Sequence, residues 1–543
     1  MFFTIFWCCY FFLQADGSHP QITLPDGEIR GHKLQTDNGK TYYAFLGLPY
    51  AAPPLGNLRF QAPVNPEHWK GVRDATKKGD ACLAIFDFTP PSYSDKLSED
   101  CLKINVFTPS FNNTQKFPVM FWIHGGGFVG GSGNFYGPDF LIEEDVVVVT
   151  FNYRLGAFGF LSTGDDVVLG NAGLKDQLLA LNWTNRNIGL FGGDPDKITI
   201  FGESAGGRSV GHHITNKKSK GLFRAAICQS GCSLLGLHEV KPKEIALDLA
   251  QRLDSELPRN ISSVDLLNFL QNQSADAILS KSIDMNPMTY LFVPIMEVDH
   301  VDSFITELNY NLVETGNVSR VPLILGTVSE ECLGFIGDLN NITLTAASYD
   351  SDITTLIPND IHLKENCTPE DAANLIREAY VGPNGNFSDN LAATLQYYSD
   401  NLFGKATLKQ AELASDYTSV YLYEFSYYGI ASETRVVIEG AGKVGHGDEL
   451  TYLFKFLNLT AEADILTSKR FAKLWANFAK YLDPTPETSS LLQNVSWPKV
   501  ENGDIRYLDI DETLSVKPNN RAKEYAMWNY VYENFASRPY MGF

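Results

Sequence analysis

One stretch constrains the fold of this chain more than any other. Residues 191–206 read F-G-G-D-P-D-K-I-T-I-F-G-E-S-A-G. Within them, Lys197–Phe201 is a short β-branched and aromatic run of the kind that forms a buried strand. A G-x-S-x-G turn follows at once, and the residues from Ala205 to about Thr215 have the character of a helix. The stretch therefore predicts a serine held on a sharp turn between a strand and a helix.

The turn has the composition of a nucleophile elbow. Gly202 and Gly206 suit a turn so tight that larger side chains would collide with the backbone, and Ser204 lies at the helix N-terminus, where the dipole favours developing negative charge. Residues 207–211 repeat the G-x-S-x-G pattern inside the predicted helix, without a strand before them. We therefore interpret Ser209 as an ordinary helical serine and Ser204 as the candidate nucleophile.

The composition favours one large domain. No Pro/Gly/Ser-rich linker, charge block or internal repeat divides the 543 residues, and 44% of them are hydrophobic. A chain of this length averages about three or four domains, but we predict a single one over residues 16–543, with long insertions. The formal net charge of −21 argues against nucleic acid as a partner, because phosphate binding needs a basic surface.

The first residues and the sequons predict a secreted glycoprotein. Residues 1–15 are nearly all apolar but too few to span a bilayer, which indicates a cleaved signal peptide. No later apolar run is long enough for a membrane helix, so we expect no stable membrane anchor. Candidate glycosylation sites in N-x-S/T sequons are Asn112, Asn260, Asn272, Asn317, Asn341, Asn366, Asn386, Asn458 and Asn494.

The cysteines agree with an oxidising compartment. Cys8 and Cys9 would leave with the signal peptide, and an even number remains. Cys82 and Cys101 bracket a loop, which predicts an intraloop disulfide. The other four allow three pairings, and the sequence does not choose among them; they are Cys228, Cys232, Cys332 and Cys367.

A second glycine-rich turn supplies candidate oxyanion donors. Val119–Ile123 has strand character, as does the preceding Ile104–Phe107, which we expect to be its neighbour. The strand leads into H-G-G-G-F at residues 124–128, where consecutive glycines expose backbone N–H groups. The predicted oxyanion hole consists of the N–H groups of Gly126, Gly127 and Ala205.

The whole chain alternates strands with helices, which predicts an α/β fold with a large, mostly parallel central sheet, flanking helices and long helical insertions. Ser204 would lie at the carboxyl ends of the strands, where such sheets bind ligands. A serine nucleophile needs a base and an orienting carboxylate, in the chain order serine, acid, histidine. Glu330 or Glu331, after the strand Val321–Gly326, and His446, in a late glycine-rich loop, follow that order.

These motifs together resemble the type-B carboxylesterase and cholinesterase family of α/β-hydrolases, from about Ile22 to near the C-terminus. The motifs that carry the resemblance are E-D-C-L-x-x-N-V at 99–106, H-G-G-G-F at 124–128, N-Y-R-L-G at 152–156, the elbow at 191–206 and H-G-D-E-L at 446–450. The resemblance implies Ser204 as nucleophile, His446 as base and Glu331 as acid.

The resemblance also implies supporting features and one departure. It pairs Cys82 with Cys101 and matches Ser230 to a serine near the acid; we take Glu203 and Ser230 as supporting residues. The family usually has Asp-Glu-Gly around its acid, whereas residues 330–332 are Glu-Glu-Cys, so both glutamates stay candidates.

The predicted function is that of a secreted serine carboxylesterase that acts through an acyl-enzyme, without metal or cofactor, on a small-molecule ester, as a monomer or dimer. Cholinesterases carry a tryptophan in the first disulfide loop that faces the quaternary ammonium. Residues 83–100 contain none, so choline esters are not expected as preferred substrates. The G-E-S-A-G form differs from the G-Q-S-A-G of juvenile hormone esterases; odorant, pheromone and xenobiotic esters stay open.

Two other hypotheses compete with a turnover enzyme. Neuroligin-like relatives are binding proteins on the same fold, but they usually lack a triad residue and carry a membrane tail, unlike this sequence. A scavenger that is acylated rapidly and deacylated slowly would use the same residues, and the sequence does not separate it from an enzyme.

Overall fold

An eleven-stranded sheet runs through the computed structural model. The structure describes residues 19–85, 95–111, 116–237, 241–285 and 291–543. The predicted signal peptide and the sequon at Asn112 lie outside these ranges. In the described residues, no helix is both long enough and apolar enough to cross a membrane.

The strands follow the apolar runs of the sequence. Those predicted at Ile104–Phe107, Val119–Ile123 and Lys197–Phe201 are longer than predicted by one to four residues at an end, and the one predicted at Val321–Gly326 begins and ends two residues later. In chain order they are β1 (Gln21–Leu24), β2 (Gly27–Arg30), β3 (His32–Gln35), β4 (Thr41–Pro49), β5 (Val72–Asp74), β6 (Ala81–Cys82), β7 (Leu97–Ser98), β8 (Lys103–Thr108), β9 (Phe117–Ile123), β10 (Val147–Phe151), β11 (Gly193–Glu203), β12 (Ala225–Gln229), β13 (Leu323–Val328), β14 (Val420–Phe425), β15 (Arg506–Ile510) and β16 (Ser515–Pro518).

The sheet is parallel at its centre and antiparallel at both edges, which confirms the predicted mostly parallel architecture. The strand order is β16-β15-β14-β13-β12-β11-β9-β10-β8-β4-β3. Pairing is parallel from β15 through β10 and antiparallel elsewhere. The expectation that β8 and β9 are neighbours was wrong, because β10 lies between them, parallel to β9 and antiparallel to β8.

Helices cover both faces of the sheet and form the long insertions after β12 and β13. They are α1 (Asp139–Ile142), α2 (Gly156–Phe160), α3 (Ala172–Asn187), α4 (Ala205–Thr215), α5 (Pro242–Leu253), α6 (Ser263–Gln271), α7 (Ala275–Ile283), α8 (Asn309–Glu314), α9 (Leu333–Ile336), α10 (Leu339–Ser351), α11 (Pro369–Val381), α12 (Leu391–Ser399), α13 (Lys405–Ser415), α14 (Leu450–Leu453), α15 (Glu462–Tyr481) and α16 (Ala522–Phe535).

The central strands are apolar on both faces, because each face is buried against helices. In β9, Phe121 and Ile123 belong to one hydrophobic core, whereas Met120 and Trp122 belong to the other. Helix α4 contacts β9, β11 and β12, and α15 contacts β9 and β11. The two cores hold the carboxyl ends of β9 and β11, and therefore the turns that follow them, in a fixed relation.

Covalent and ionic links fix the segments around β6 to β8. The disulfide between Cys82 and Cys101 is present, as predicted. Beside it, the Arg59 guanidinium donates to both carboxylate oxygens of Glu99, at 2.6 and 2.7 Å. None of the three pairings left open for the other cysteines forms, since Cys228, Cys232, Cys332 and Cys367 are all free.

The candidate glycosylation sites that the structure describes are all at the surface. The asparagine of each is solvent-exposed: Asn260, Asn272, Asn317, Asn341, Asn366, Asn386, Asn458 and Asn494. Exposure is required for glycosylation, and the modification itself stays a prediction.

Candidate active site

Ser204 lies in a strained turn between β11 and α4. Its backbone has φ 58° and ψ −123°, a conformation that L-residues rarely adopt. A Cβ added at Gly202 would approach the Ile123 carbonyl oxygen to 2.6 Å, and one at Gly206 would approach it to 2.0 Å. Only glycine fits at both positions, so the close approach of the backbone in this sharp turn explains both glycines of the sequence motif.

Ser209, in the repeated pattern, has a different environment. It is fully buried inside α4, where its hydroxyl donates to the Ala205 carbonyl at 2.8 Å and accepts a hydrogen bond from Gln177 at 3.0 Å. A hydroxyl engaged in this way within a helix has no access to substrate.

The glycine loop after β9 lies against the elbow. A Cβ on Gly125 would meet the Ser204 Cβ at 3.1 Å and the Glu203 carbonyl oxygen at 2.8 Å. Gly126 and Gly127 have φ values of 104° and 62°, which direct the backbone into a left-handed course. The N–H groups of Gly126, Gly127 and Ala205 donate no hydrogen bond to any described residue. Three free donors thus surround the turn that carries Ser204.

His446 is paired with Glu331. The imidazole Nδ1 lies 2.6 Å from Glu331 Oε2, and the His446 N–H donates to the Glu331 carbonyl at 3.1 Å. The other carboxylate oxygen accepts a hydrogen bond of 3.0 Å from the Val328 N–H at the end of β13. The Glu331 side chain is 2% exposed, so backbone contacts and burial fix its orientation toward the imidazole.

Glu330, the alternative acid, faces away from His446. Its carboxylate accepts a 3.3 Å hydrogen bond from the Gly442 N–H and lies 3.7 Å from Arg521 Nη2. Burial raises the pKa of this carboxyl to about 7, although Arg521 opposes the shift. Of the two adjacent glutamates, the geometry brings only Glu331 to the imidazole.

The far side of the imidazole faces Glu203. His446 Nε2 lies 3.0 Å from Glu203 Oε1, and within the described residues it forms no hydrogen bond with Ser204 or any other partner. The rings of Phe335 and Phe403 lie against the imidazole, with centroid distances of 4.9 and 4.7 Å. The imidazole is thus packed against two aromatic rings while its Nε2 faces Glu203, the residue before Ser204.

The site is strongly acidic and buried. Burial raises the pKa of the Glu203 carboxyl, and burial together with the charges of Glu203 and Glu331 raises that of Glu449. Burial opposes the positive charge on His446, but the carboxylates of Glu203 and Glu331 outweigh it and raise the imidazole pKa above 6.5. Three carboxyl groups thus share one imidazole, and all of them favour its protonated form.

Glu449 was not predicted from the sequence to belong to the site. It is fully buried, and its carboxylate accepts a 3.3 Å hydrogen bond from Gln229. Its place in the H-G-D-E-L motif, three residues after His446, is the sequence signal that could have indicated it. Ser230, which was predicted as a supporting residue, is fully buried with an unpartnered hydroxyl, and no hydrogen bond joins it to Glu331 in the described residues.

Comparisons with known proteins agree with this geometry. A family model described as "Carboxylesterase family" matches residues 18–528. A carboxylic ester hydrolase of Bombus ignitus is 33% identical, covering 94% of each chain. Venom carboxylesterase-6 of Apis mellifera is 33% identical, covering 96% of each chain. The crystal structure of juvenile hormone esterase from Manduca sexta, with OTFP covalently attached, superposes with a TM-score of 0.82 at 26% identity, covering 95% of this chain and all of that one.

Proposed function

The chain belongs to the carboxylesterase family, and on that premise we propose that it hydrolyses carboxylic esters through a Ser204–His446–Glu331 triad. The observation that carries the proposal is the His446–Glu331 contact of 2.6 Å beside a serine on a strained elbow. A serine hydroxyl is a weak nucleophile unless a base removes its proton, and the base needs an orienting carboxylate.

The mechanism follows from these positions. His446 Nε2 takes the Ser204 proton as Oγ attacks the ester carbonyl, while Glu331 holds Nδ1–H and stabilises the imidazolium. The imidazolium then protonates the leaving alcohol, which leaves an acyl-enzyme. Water, deprotonated by His446, attacks the acyl carbonyl and releases the acid. In the resting arrangement Nε2 lies beside Glu203, so it must move toward Oγ when substrate binds.

The free N–H groups of Gly126, Gly127 and Ala205 are proposed to stabilise the negative oxygen of both tetrahedral intermediates. Such preorganised donors act in a buried site, where hydrogen bonds to charge are stronger than in water. They require no reorganisation, because no described residue competes for them.

Apolar alcohol groups fit the histidine side of the site. Phe335 is 46% exposed although it lies against His446. Because His446 protonates the leaving alcohol, that part of the substrate would contact the exposed ring. An aromatic or aliphatic alcohol gains from this contact.

Steady hydrolysis of p-nitrophenyl acetate tests the proposed function. The wild-type protein is expected to turn over, and Gly126→Ala to lose about 100-fold in kcat, the order expected when an oxyanion donor is displaced. The displacement arises because the new Cβ would lie 2.3 Å from the Gly130 carbonyl oxygen. Gly39→Ala is the control, since Gly39 also has a positive φ, of 82°, but open space around it.

No turnover by the wild-type protein would contradict the proposed function. Full activity of Gly126→Ala would contradict only the oxyanion assignment.

Glu203→Gln is expected to shift the acid limb of the pH profile of kcat/KM to lower pH. The neutral imidazole is the base, so activity falls as the pH drops through the His446 pKa. Glu203 raises that pKa, and an amide in its place removes the charge that stabilises the imidazolium. The quantity measured is the pH at the midpoint of the acid limb, which can be compared even if the plateau of kcat/KM also changes. An unchanged or higher midpoint would contradict the claim that Glu203 raises the His446 pKa.

We further propose that the protein is secreted as a single catalytic domain after cleavage of residues 1–15. The apolar leader, the exposed sequons and the name of the venom relative support this. N-terminal sequencing of protein recovered from the medium of expressing cells should find a chain that begins near residue 16. An intact leader would contradict the cleavage.

A further inference from the structure

Arg208 is a buried cation without a carboxylate partner. Its Nε is fully buried and forms no hydrogen bond, and burial lowers the pKa of the guanidinium to about 10. In the part of the chain that the structure describes, its one hydrogen bond joins Nη2 to the Gly236 carbonyl. The residue as a whole is nevertheless partly exposed.

Two buried arginines in this protein are neutralised by carboxylates. Arg154 donates to both oxygens of the Asp176 carboxylate, at 2.8 and 2.6 Å, and Arg59 does the same with Glu99. Arg470 is also buried but donates only to backbone carbonyls, so a missing carboxylate does not by itself mark a ligand site. Arg208 differs from Arg470 in its position one helical turn after the proposed nucleophile, where a bound substrate can supply the anion that a buried charge favours.

Helix geometry directs Arg208 toward the reacting atoms. The Arg208 N–H donates to the Ser204 carbonyl at 2.9 Å, in the first turn of α4. Residues four apart lie on one helix face, and helical side chains incline toward the N-terminus. The Arg208 side chain therefore covers the turn of α4 that presents Ser204.

The neighbours of Arg208 place it on the acyl side of the site. Its Cζ lies 5.8 Å from the ring centroid of Phe128, the residue that follows the oxyanion glycines. In the described residues, no hydrogen bond, ion pair or ring contact joins it to His446, whose neighbours are Phe335, Phe403, Glu203 and Glu331. The leaving alcohol must lie near His446, so the acyl group extends along the other side of Ser204.

We propose that Arg208 binds a carboxylate on the acyl part of the substrate, so that the enzyme prefers monoesters of dicarboxylic acids. This inference rests on the proposed function and deepens it. The carboxyl groups of Glu203, Glu331 and Glu449 repel a second anion, so the substrate carboxylate must lie on the Arg208 side, away from His446. Charges elsewhere on the protein, beyond about 8–10 Å, are screened at physiological salt. A single desolvated guanidinium within the site acts at shorter range.

The test needs an ester whose acyl chain carries a carboxylate, and a neutral ester of the same size. The backbones of residues 204 and 208 are one helical turn apart, about 6 Å along the axis, and the Arg208 side chain adds its own reach, so a flexible acyl chain is suitable. Mono-p-nitrophenyl adipate is the anionic probe, and p-nitrophenyl hexanoate is its neutral match of equal carbon number.

The experiment compares kcat/KM for these two esters, corrected for spontaneous hydrolysis. The wild-type enzyme is expected to hydrolyse the adipate ester at least as efficiently as the hexanoate ester. Arg208→Met should lower the ratio of adipate to hexanoate by about 10- to 100-fold, the loss of a charged hydrogen bond. Arg208→Lys keeps the charge and should retain part of the ratio.

Arg224→Met is the matched control. Arg224 likewise has an unpartnered buried Nε and donates to the carbonyls of Ala479 and Lys480. It lies at the amino end of β12, however, whereas Ser204 follows the carboxyl end of β11. Its replacement should leave the ratio unchanged.

The inference would be overturned if the wild-type enzyme strongly disfavoured the adipate ester, or if Arg208→Met left the ratio of adipate to hexanoate unchanged. Equal losses of kcat/KM on both esters would also overturn it, because they would indicate that Arg208 only holds the Gly236 loop. If Arg208→Met does not fold, the wild-type comparison and Arg208→Lys decide. Failure of the wild-type protein to hydrolyse either ester would instead refute the proposed function.

Discussion

Replacement of Ser204 by alanine is expected to lower kcat for ester hydrolysis by about 10⁵- to 10⁶-fold, the loss typical of a triad nucleophile. Without Oγ no acyl-enzyme forms, and the remaining donors at Gly126, Gly127 and Ala205 assist only direct attack by water. The fold should persist, because alanine adds no atom to the turn. Steady-state hydrolysis of p-nitrophenyl acetate and thermal unfolding measure the two properties.

Ser209→Ala provides the matched control. It removes a hydroxyl from the same sequence pattern five residues later, where the group bonds only to Ala205 and Gln177. This variant should retain wild-type kcat with some loss of stability, about 1 kcal/mol for one buried hydrogen bond. If Ser209→Ala were the inactive variant and Ser204→Ala the active one, the assignment of the nucleophile would be wrong.

Glu331→Gln should lower kcat by about 10⁴-fold, as an amide does in place of a triad carboxylate. The Val328 N–H and the imidazole Nδ1 now each contact a different carboxylate oxygen, at 3.0 and 2.6 Å. An amide presents one oxygen and one NH₂ group, so it cannot accept both hydrogen bonds. The imidazole is then held in the wrong tautomer or is released, and it cannot take the Ser204 proton.

Glu330→Gln isolates the effect of position. Glu330 is adjacent to Glu331 in the chain and is also buried. Its carboxylate, however, contacts Gly442 and Arg521 and not His446. Its pKa of about 7 means that much of it is already neutral at neutral pH, so the amide is a close substitute. Activity close to wild type is expected from kcat and KM on the same ester. A larger loss in Glu330→Gln than in Glu331→Gln would assign the acid to Glu330.

Local sequence predicted the elements around Ser204 well because their signals are local. Helix α4 has the predicted bounds, β9 ends at Ile123 as predicted, and the glycines of the elbow are required by contacts with Ile123. A strand followed by a glycine turn needs no knowledge of distant residues.

Features that depend on distant partners were not predictable in this way. The adjacency of β8 and β9 was wrong because hydrogen-bond partners of a strand are chosen by the whole sheet, and β10 is inserted between them. Strand β15 and the edge strand β16 were not predicted; β16 is a run of four residues that ends in proline, which carries little strand signal.

The candidate site shows the same limit. Adjacent residues such as Glu330 and Glu331 have nearly equal sequence contexts, and only the course of the chain after β13 decides which one meets His446. The absence of a carboxylate near Arg208 and the free state of the cysteines likewise depend on three-dimensional distances.

Ser204 as the nucleophile of a turnover enzyme is best tested by stopped-flow mixing of the purified protein with p-nitrophenyl acetate, before and after an organophosphate. We expect a burst of about one p-nitrophenol per chain followed by steady turnover, both lost when the reagent modifies Ser204, as located by peptide mass. A burst without turnover would contradict a turnover enzyme and indicate a scavenger. No burst, or modification at another residue, would contradict Ser204 as the nucleophile.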